Sequence, residues 1–227
     1  MTIVEHRPAG RTWTPDGVRR GTVVVLPGRG ERIGRYRRLA TRLAAEGYRV
    51  EVTAPGEPVV RAEHPWFLLG ADTGAHVALE AAQRMPVSAL VLAGLPGDPE
   101  WRPARPVGRD EEIAWRVADP DRQAALRVSD DVRHGELLRS PPRPMIGVPT
   151  VSTLVLHGEA DVLSPSLRVR QRVASWPRVR LVSVADSGHD VLHDAHHRSV
   201  AAEILLFLER FRSGGAPVLR TSLRSTI

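Results

Sequence analysis

The stretch Trp66-Phe67-Leu68-Leu69-Gly70-Ala71-Asp72-Thr73-Gly74-Ala75-His76-Val77-Ala78-Leu79 decides how the rest of this chain is read. An apolar run ends in glycine, a single acid stands between the glycines at 70 and 74, and an apolar pattern at helical spacing starts at once. The segment therefore reads as strand, sharp turn, helix. The glycines matter physically, because a residue at the apex of so tight a turn is strained and its neighbours collide if they carry side chains. The apex residue is Asp72.

Working outward towards the N-terminus, Thr22 to Leu26 is a continuous β-branched and aliphatic run, suited to a strand buried on both faces of a parallel sheet. It ends in Pro27-Gly28-Arg29-Gly30. From Tyr36 to Glu46 the apolar positions recur at helical spacing, and Gly47 follows as a helix stop. Tyr48 to Thr53 reads as a strand, and residues 2 to 14 as one or two edge strands. Towards the C-terminus, a helix runs from Thr73 to about Arg84 and a buried strand from Val87 to Ala93. After a break, strands are expected at Val151 to Leu156 and Val179 to Val184, with helices at Ser166 to Ser175 and Arg198 to Arg212. Strand and helix alternate, and glycine-rich loops follow the strands, which is the pattern of an α/β fold with a mostly parallel sheet and helices on both faces.

Between these halves the texture changes. Residues 97–149 carry prolines at 99, 103, 106, 120, 141, 142, 144 and 149, with two short helices expected near Asp110 to Val117 and Pro120 to Val128. So long an insertion between core strands is expected to form a lid over the strand ends. The core is then 1–96 plus 150–212, and 213–227 is expected to be a mobile tail.

Composition narrows the function classes. The net charge is +6, yet every one of the 32 basic Lys or Arg positions is arginine, and these are scattered beside acids. A distributed, solvated charge is expected rather than a nucleic-acid face. The densest group is Arg29, Arg32, Arg35, Arg37, Arg38 and Arg42, expected to be mostly a solvated helix face, with Arg29 and Arg32 close to the site mouth. There are no cysteines, hence no thiolate nucleophile or thiolate zinc site. No apolar run approaches the roughly 20 residues of a membrane helix, and the start has no basic region followed by an apolar core. A cytoplasmic protein without membrane partners is expected.

Three residues fall at three strand C-termini in the order Asp72, Asp161, His189. Leu26-Pro27-Gly28-Arg29-Gly30, Gly70-Ala71-Asp72-Thr73-Gly74, Leu156-His157-Gly158-Glu159-Ala160-Asp161 and Ser187-Gly188-His189 then line up as oxyanion loop, nucleophile elbow, acid loop and base loop. In this the chain resembles the α/β-hydrolase superfamily, whose chain order is nucleophile, acid, histidine. The resemblance implies a catalytic set of Asp72, Asp161 and His189, with the backbone N–H groups of Thr73 and Arg29 as oxyanion donors. His189 is the expected general base and Asp161 its orienting acid. The carboxylate of Asp72 is expected to press on helix N–H groups and to be strongly acidic.

Aspartate in place of the usual serine resembles the haloalkane dehalogenase and epoxide hydrolase branches. A carboxylate attacking saturated carbon gives a stable alkyl ester, which water activated by His189 then hydrolyses. The chain departs from both branches: Thr73 stands where the dehalogenases place tryptophan, and the only tyrosines, Tyr36 and Tyr48, lie outside the insertion. Gly28, His76, Trp101 and Trp115 are the expected pocket residues. Proton-transfer chemistry in the same pocket, as in a lyase, dehydratase or cyclase, is the alternative, followed by a thioesterase-like or a purely binding role. Neither route needs a metal or a cofactor. His157 is expected to pack beneath the acid loop, and His193, His196 and His197 are expected at the surface. The expected partner is a small-molecule substrate, with a carrier-protein-tethered one as the variant that Arg29 and Arg32 would attract.

Overall fold

The computed structural model describes residues 10–96, 108–139 and 147–212. Seven strands form one sheet: β1 (Gly10–Trp13), β2 (Gly21–Leu26), β3 (Tyr48–Thr53), β4 (Trp66–Ala71), β5 (Ala89–Ala93), β6 (Thr153–Gly158) and β7 (Val179–Val184). Their spatial order is β1-β3-β2-β4-β5-β6-β7, and only β1 runs antiparallel to its neighbour. Of the stretch expected to hold one or two edge strands, Gly10–Trp13 forms β1, and residues 2–9 lie outside the described residues.

Because β2, β4, β5 and β6 are buried on both faces, their side chains divide alternately between two apolar layers. Val23, Val25, Phe67, Leu69, Val91 and Leu154 face α1 (Arg37–Ala45) and α7 (His197–Arg212), which contribute Leu39, Leu43, Ile204 and Leu208. Val24, Leu68, Leu90, Leu92 and Val155 face α2 (Thr73–Arg84) and α6 (Ser166–Val173), through Ala75, Leu79, Val169 and Val173. Each such aliphatic side chain contributes about 2 kcal/mol by leaving water, so the two layers far outweigh any single polar contact in fixing the fold.

The chain leaves β2 towards β3 on one side, and β4 lies on the other. The strand order thus reverses between β2 and β4, which opens a crevice at their C-terminal ends, where open α/β sheets place their sites. The loops carrying Arg29 and Asp72 flank this crevice. Between β5 and β6 the insertion contributes α3 (Arg109–Arg116), α4 (Pro120–Val128) and the short α5 (Glu136–Arg139). Asp119 caps α4 by accepting from the Arg122 N–H at 2.9 Å, with Pro120 at its first turn. Ile113, Val117, Leu126 and Val132 make the insertion's own small core. Residues 97–107 and 140–146 of the expected lid, and the expected tail 213–227, lie outside the described residues.

Candidate active site

The turn after β4 is as tight as the two glycines imply. Asp72 sits at φ 47°, ψ −121°, and its N–H donates to the Ala93 carbonyl at 2.9 Å. A Cβ on Gly74 would stand 2.1 Å from the Leu26 carbonyl oxygen, so no side chain fits where α2 crosses β2. Holding a non-glycine residue at positive φ costs about 1–3 kcal/mol, and the surrounding backbone contacts impose that strain on Asp72.

The Asp72 carboxylate is buried, 4% exposed, and its partners are not those expected from the sequence. Its side chain makes no cap bond to α2. Arg29 holds it instead: the backbone N–H donates to Oδ2 at 2.9 Å, Nε to Oδ2 at 2.7 Å and Nη2 to Oδ1 at 2.8 Å. The guanidinium is itself fixed by Nη1 donating to the Leu137 carbonyl in α5 at 2.7 Å. Burial would raise the Asp72 pKa, but the Arg29 charge, with hydrogen bonds from His189 and Arg29, holds it well below the usual carboxylate range. The strong acidity is as expected, and its source is a different one. Arg29 is a half-buried partner of the apex rather than part of a solvated face.

Asp161 and His189 complete a line. Asp161 Oδ1 accepts from the N–H groups of Leu163 and Ser164 at 2.8 and 3.0 Å, which leaves Oδ2 facing His189 Nδ1 at 2.8 Å. His189 Nε2 lies 3.2 Å from Asp72 Oδ1. An ionised carboxylate only accepts, so an imidazole with one at each ring nitrogen must carry both protons. Burial would lower the His189 pKa, but the attraction and hydrogen bonds of Asp161, then of Asp72, raise it to about 10. In this state His189 is an imidazolium rather than the neutral base expected from the sequence.

No protein-family model matches the chain, and no curated protein matches it in sequence. Solved structures do match in three dimensions. A monoacylglycerol lipase from Paleococcus ferrophilus superposes with a TM-score of 0.64, covering 90% of this chain and 98% of its own at 16% identity. A thermophilic esterase from Thermogutta terrifontis gives 0.65, with 90% and 93% covered at 19% identity. An esterase from Exiguobacterium antarcticum gives 0.66, with 88% and 94% covered at 19% identity. This chain has the α/β-hydrolase fold.

On that fold the remaining expected residues take these places. Thr73 opens α2 directly after Asp72. Gly28 lies under the apex: a Cβ there would meet the Asp72 Cβ at 2.8 Å, and its N–H donates to Glu31 Oε2 at 2.7 Å. His76 is buried one turn along α2, with no partner on Nε2, and its pKa falls to about 4 through burial and the nearby Arg172 and Arg29, against the pull of Asp72. Trp115 meets the base loop through its backbone, its carbonyl accepting the His189 N–H at 3.2 Å. Trp101 lies outside the described residues. His157 packs beneath the acid loop as expected, Nε2 on the Ser164 carbonyl at 2.7 Å. His196 is exposed and His197 half-buried, but His193 is only 4% exposed, which corrects the expectation of a surface residue.

A second buried network supports the first. Glu31 takes the N–H of Gly28, the hydroxyl of Tyr36 and Arg35 Nε at 3.1 Å. Arg35 Nη2 reaches Asp190 at 2.6 Å, and Arg116 of α3 spans Asp190 at 3.4 Å, Glu112 at 3.1 Å and the Arg29 carbonyl at 2.8 Å. Asp194 ties the junction, accepting from the N–H groups of Ala118, Asp119 and Gly188 at 2.8, 3.0 and 2.7 Å. The oxyanion loop, the base loop and the insertion are thus locked by charges that no motif marks. The sequence hint was Glu112 and Arg116 on one face of a short helix, a pairing that usually means a solvated surface.

Among the described residues no cluster of histidine, aspartate and glutamate has the arrangement of a metal site, and no helix is long and apolar enough to cross a membrane.

Proposed function

We propose that this protein is a hydrolase of a small organic substrate, free or carrier-tethered, in which Asp72 attacks a saturated carbon bearing an anionic leaving group. One observation carries the reading: Asp72 Oδ2 is seated on the Arg29 N–H and Nε while Oδ1, which also accepts from Arg29 Nη2, is directed at His189, itself oriented by Asp161. A carboxylate held ionised in this way keeps one oxygen in the oxyanion position and offers the other as nucleophile.

The charge states give the reaction an order. Oδ1 displaces the leaving group, forming an alkyl ester at Asp72 and releasing an anion. The ester is neutral, so the Arg29 fork loses its partner and is free to take that anion, in place of the tryptophan or tyrosines that related branches use. Loss of the Asp72 charge also removes two of the contributions that raise the His189 pKa, and the imidazolium gives its proton to the departing group or to solvent. Neutral His189 then takes a proton from water as the oxygen adds to Cγ of Asp72. The N–H groups of Arg29 and Thr73 hold the oxyanion. On collapse His189 returns its proton to the leaving oxygen, releasing an alcohol, and the Asp72 carboxyl proton passes to His189, which restores the carboxylate and the imidazolium. The insertion helices serve as the lid that keeps bulk water out.

Single turnover in heavy-oxygen water tests this: label must appear in the Asp72 carboxylate, and product formed without it rules the ester out. A second reading, proton transfer in the same pocket, is favoured by the imidazolium, which is a ready general acid. Under it, Asp72→Asn retains turnover and the product carries no solvent oxygen.

A further inference from the structure

The arginine group that looked uniform in the sequence is divided by the fold. Arg29 and the buried Arg35 are engaged in the networks above, Arg32 pairs with Asp130 at 2.8 Å and Arg42 with Glu46 at 3.1 Å. Arg37 and Arg38, on the first turn of α1, have no carboxylate within ion-pair distance among the described residues. Neither does Arg122 of α4. The exposed Arg37 and Arg38 and the half-buried Arg122 line a cavity of about 250 Å³ between the core and the insertion, with Arg35 and His193 also in its wall and Asp131 the only acid among the described lining residues.

We propose that this cavity is a binding site for a phosphoryl group, in which Arg38 of the core and Arg122 of the insertion clasp a phosphate monoester between them. Three observations support it. First, the positive charge is uncompensated. Arg35 already serves Glu31 and Asp190, so Asp131 alone faces Arg37, Arg38 and Arg122. The surrounding groups register the same sign: Arg38 is lowered by burial and then by Arg122 and Arg35, His193 by burial and then by Arg35 and Arg38, and His197 by burial and then by Arg38, with only partial opposition from Asp131 and the Asp194 and Ala195 backbone.

Second, the geometry suits phosphate better than carboxylate. One guanidinium fork already engages both oxygens of a carboxylate, whereas the three free oxygens and higher charge of a phosphate monoester offer places for several forks at once. Leu126 lines the same cavity and offers an apolar wall to the ester's organic part. Third, the site is concave and joins two elements that otherwise meet mainly through backbone and buried charge, so a bound dianion would strap α4 onto α1. Its wall residue His193 lies 3.7 Å from Glu31, and Glu31 holds the oxyanion loop, so occupancy would be felt at Gly28. A nucleic-acid strand or an acidic protein would need an extended positive face, and the flanking Arg32 and Arg42 are already neutralised.

The test is calorimetric titration of the full chain, at fixed ionic strength, with inorganic phosphate, phenyl phosphate and acetate, alongside histidine ring signals in NMR. The expectation is saturable binding of both phosphates below about 10 mM, tighter for the ester, an upward shift of the His197 titration and no comparable effect of acetate. Arg38→Ala and Arg122→Ala should each weaken binding by about tenfold or more, while Arg42→Ala changes nothing. Removing an unpaired cation from a repelling group should preserve the fold, which circular dichroism checks. No saturable phosphate binding, or binding indifferent to Arg38→Ala and Arg122→Ala, overturns the proposal. Tight binding of a short oligonucleotide or an acidic peptide with no effect of phenyl phosphate also overturns it, and assigns the cavity to a macromolecular surface.

Discussion

Arg29 surrounds the carboxylate of Asp72 with three donors, its backbone N–H at 2.9 Å, Nε at 2.7 Å and Nη2 at 2.8 Å, in a place where Asp72 is 4% exposed. Both charges of this pair depend on the other. Arg29→Leu should therefore leave a buried carboxylate with His189 as its one remaining charged partner and destabilise the fold by about 2–4 kcal/mol. Arg29→Lys should recover only part, because an ammonium cannot reproduce the fork on both oxygens. Denaturant midpoints of the three proteins check this, and equal midpoints for Arg29→Leu and wild type would contradict it.

Removing the charge at Asp72 should change His189 in a defined direction. In Asp72→Asn the imidazole loses an attraction and an ionic hydrogen bond, so its pKa must fall from about 10 towards the ordinary value, with Asp161 still holding it up. Ring-nitrogen NMR reads this directly. If Asp72 is the nucleophile, the same variant loses at least about 10³-fold in kcat.

Stability should be greatest near neutral pH and fall on both sides. His189 is raised from 6.5 to about 10, so its contribution is complete below about 6.5 and is lost as pH rises through about 10. His76 is lowered from 6.5 to about 4, so the unfolded chain binds more protons between those values and stability falls as pH drops through that window. Unfolding followed across this range should show the acid-side slope flatten in His76→Asn and the alkaline-side slope flatten in Asp72→Asn.

Arg116 is 1% exposed and joins α3 of the insertion to Asp190, Glu112 and the Arg29 carbonyl. Arg116→Ala should cost about 3 kcal/mol, since it leaves the buried Glu112 without its arginine and Asp190 with Arg35 alone. Activity should fall further than stability explains, because the oxyanion loop loses its tie to the insertion. An Arg116→Ala protein that is fully active below its melting transition would show that this tie does not position the site.

Gly74→Ala tests the elbow itself. The added methyl would meet the Leu26 carbonyl oxygen at 2.1 Å, a backbone atom that cannot turn away, so a loss of about 3 kcal/mol is expected, against near-neutrality for alanine at the open Gly17. Thermal melts of the two variants compare them.

Much of this protein was determined by its sequence taken alone. The apolar runs at Val23, Leu68, Leu90 and Leu154 specify strands buried on both faces, and the glycines at 70 and 74 specify the turn, because burial and backbone sterics act within a few residues. The positions of Asp72, Asp161 and His189 at strand ends follow from the same alternation. The tertiary structure decided what those residues face. Arg29 lies 43 residues from Asp72, Arg35 lies 155 from Asp190, and Arg116 lies 74 from Asp190. Nothing local distinguishes these arginines from Arg32 or Arg42, which meet exposed or half-exposed acids at the surface. An arginine's partner, and hence whether it solvates a helix, locks a nucleophile-position carboxylate or lines a cavity, is set by packing across the whole sheet, and so are the charge states of Asp72 and His189.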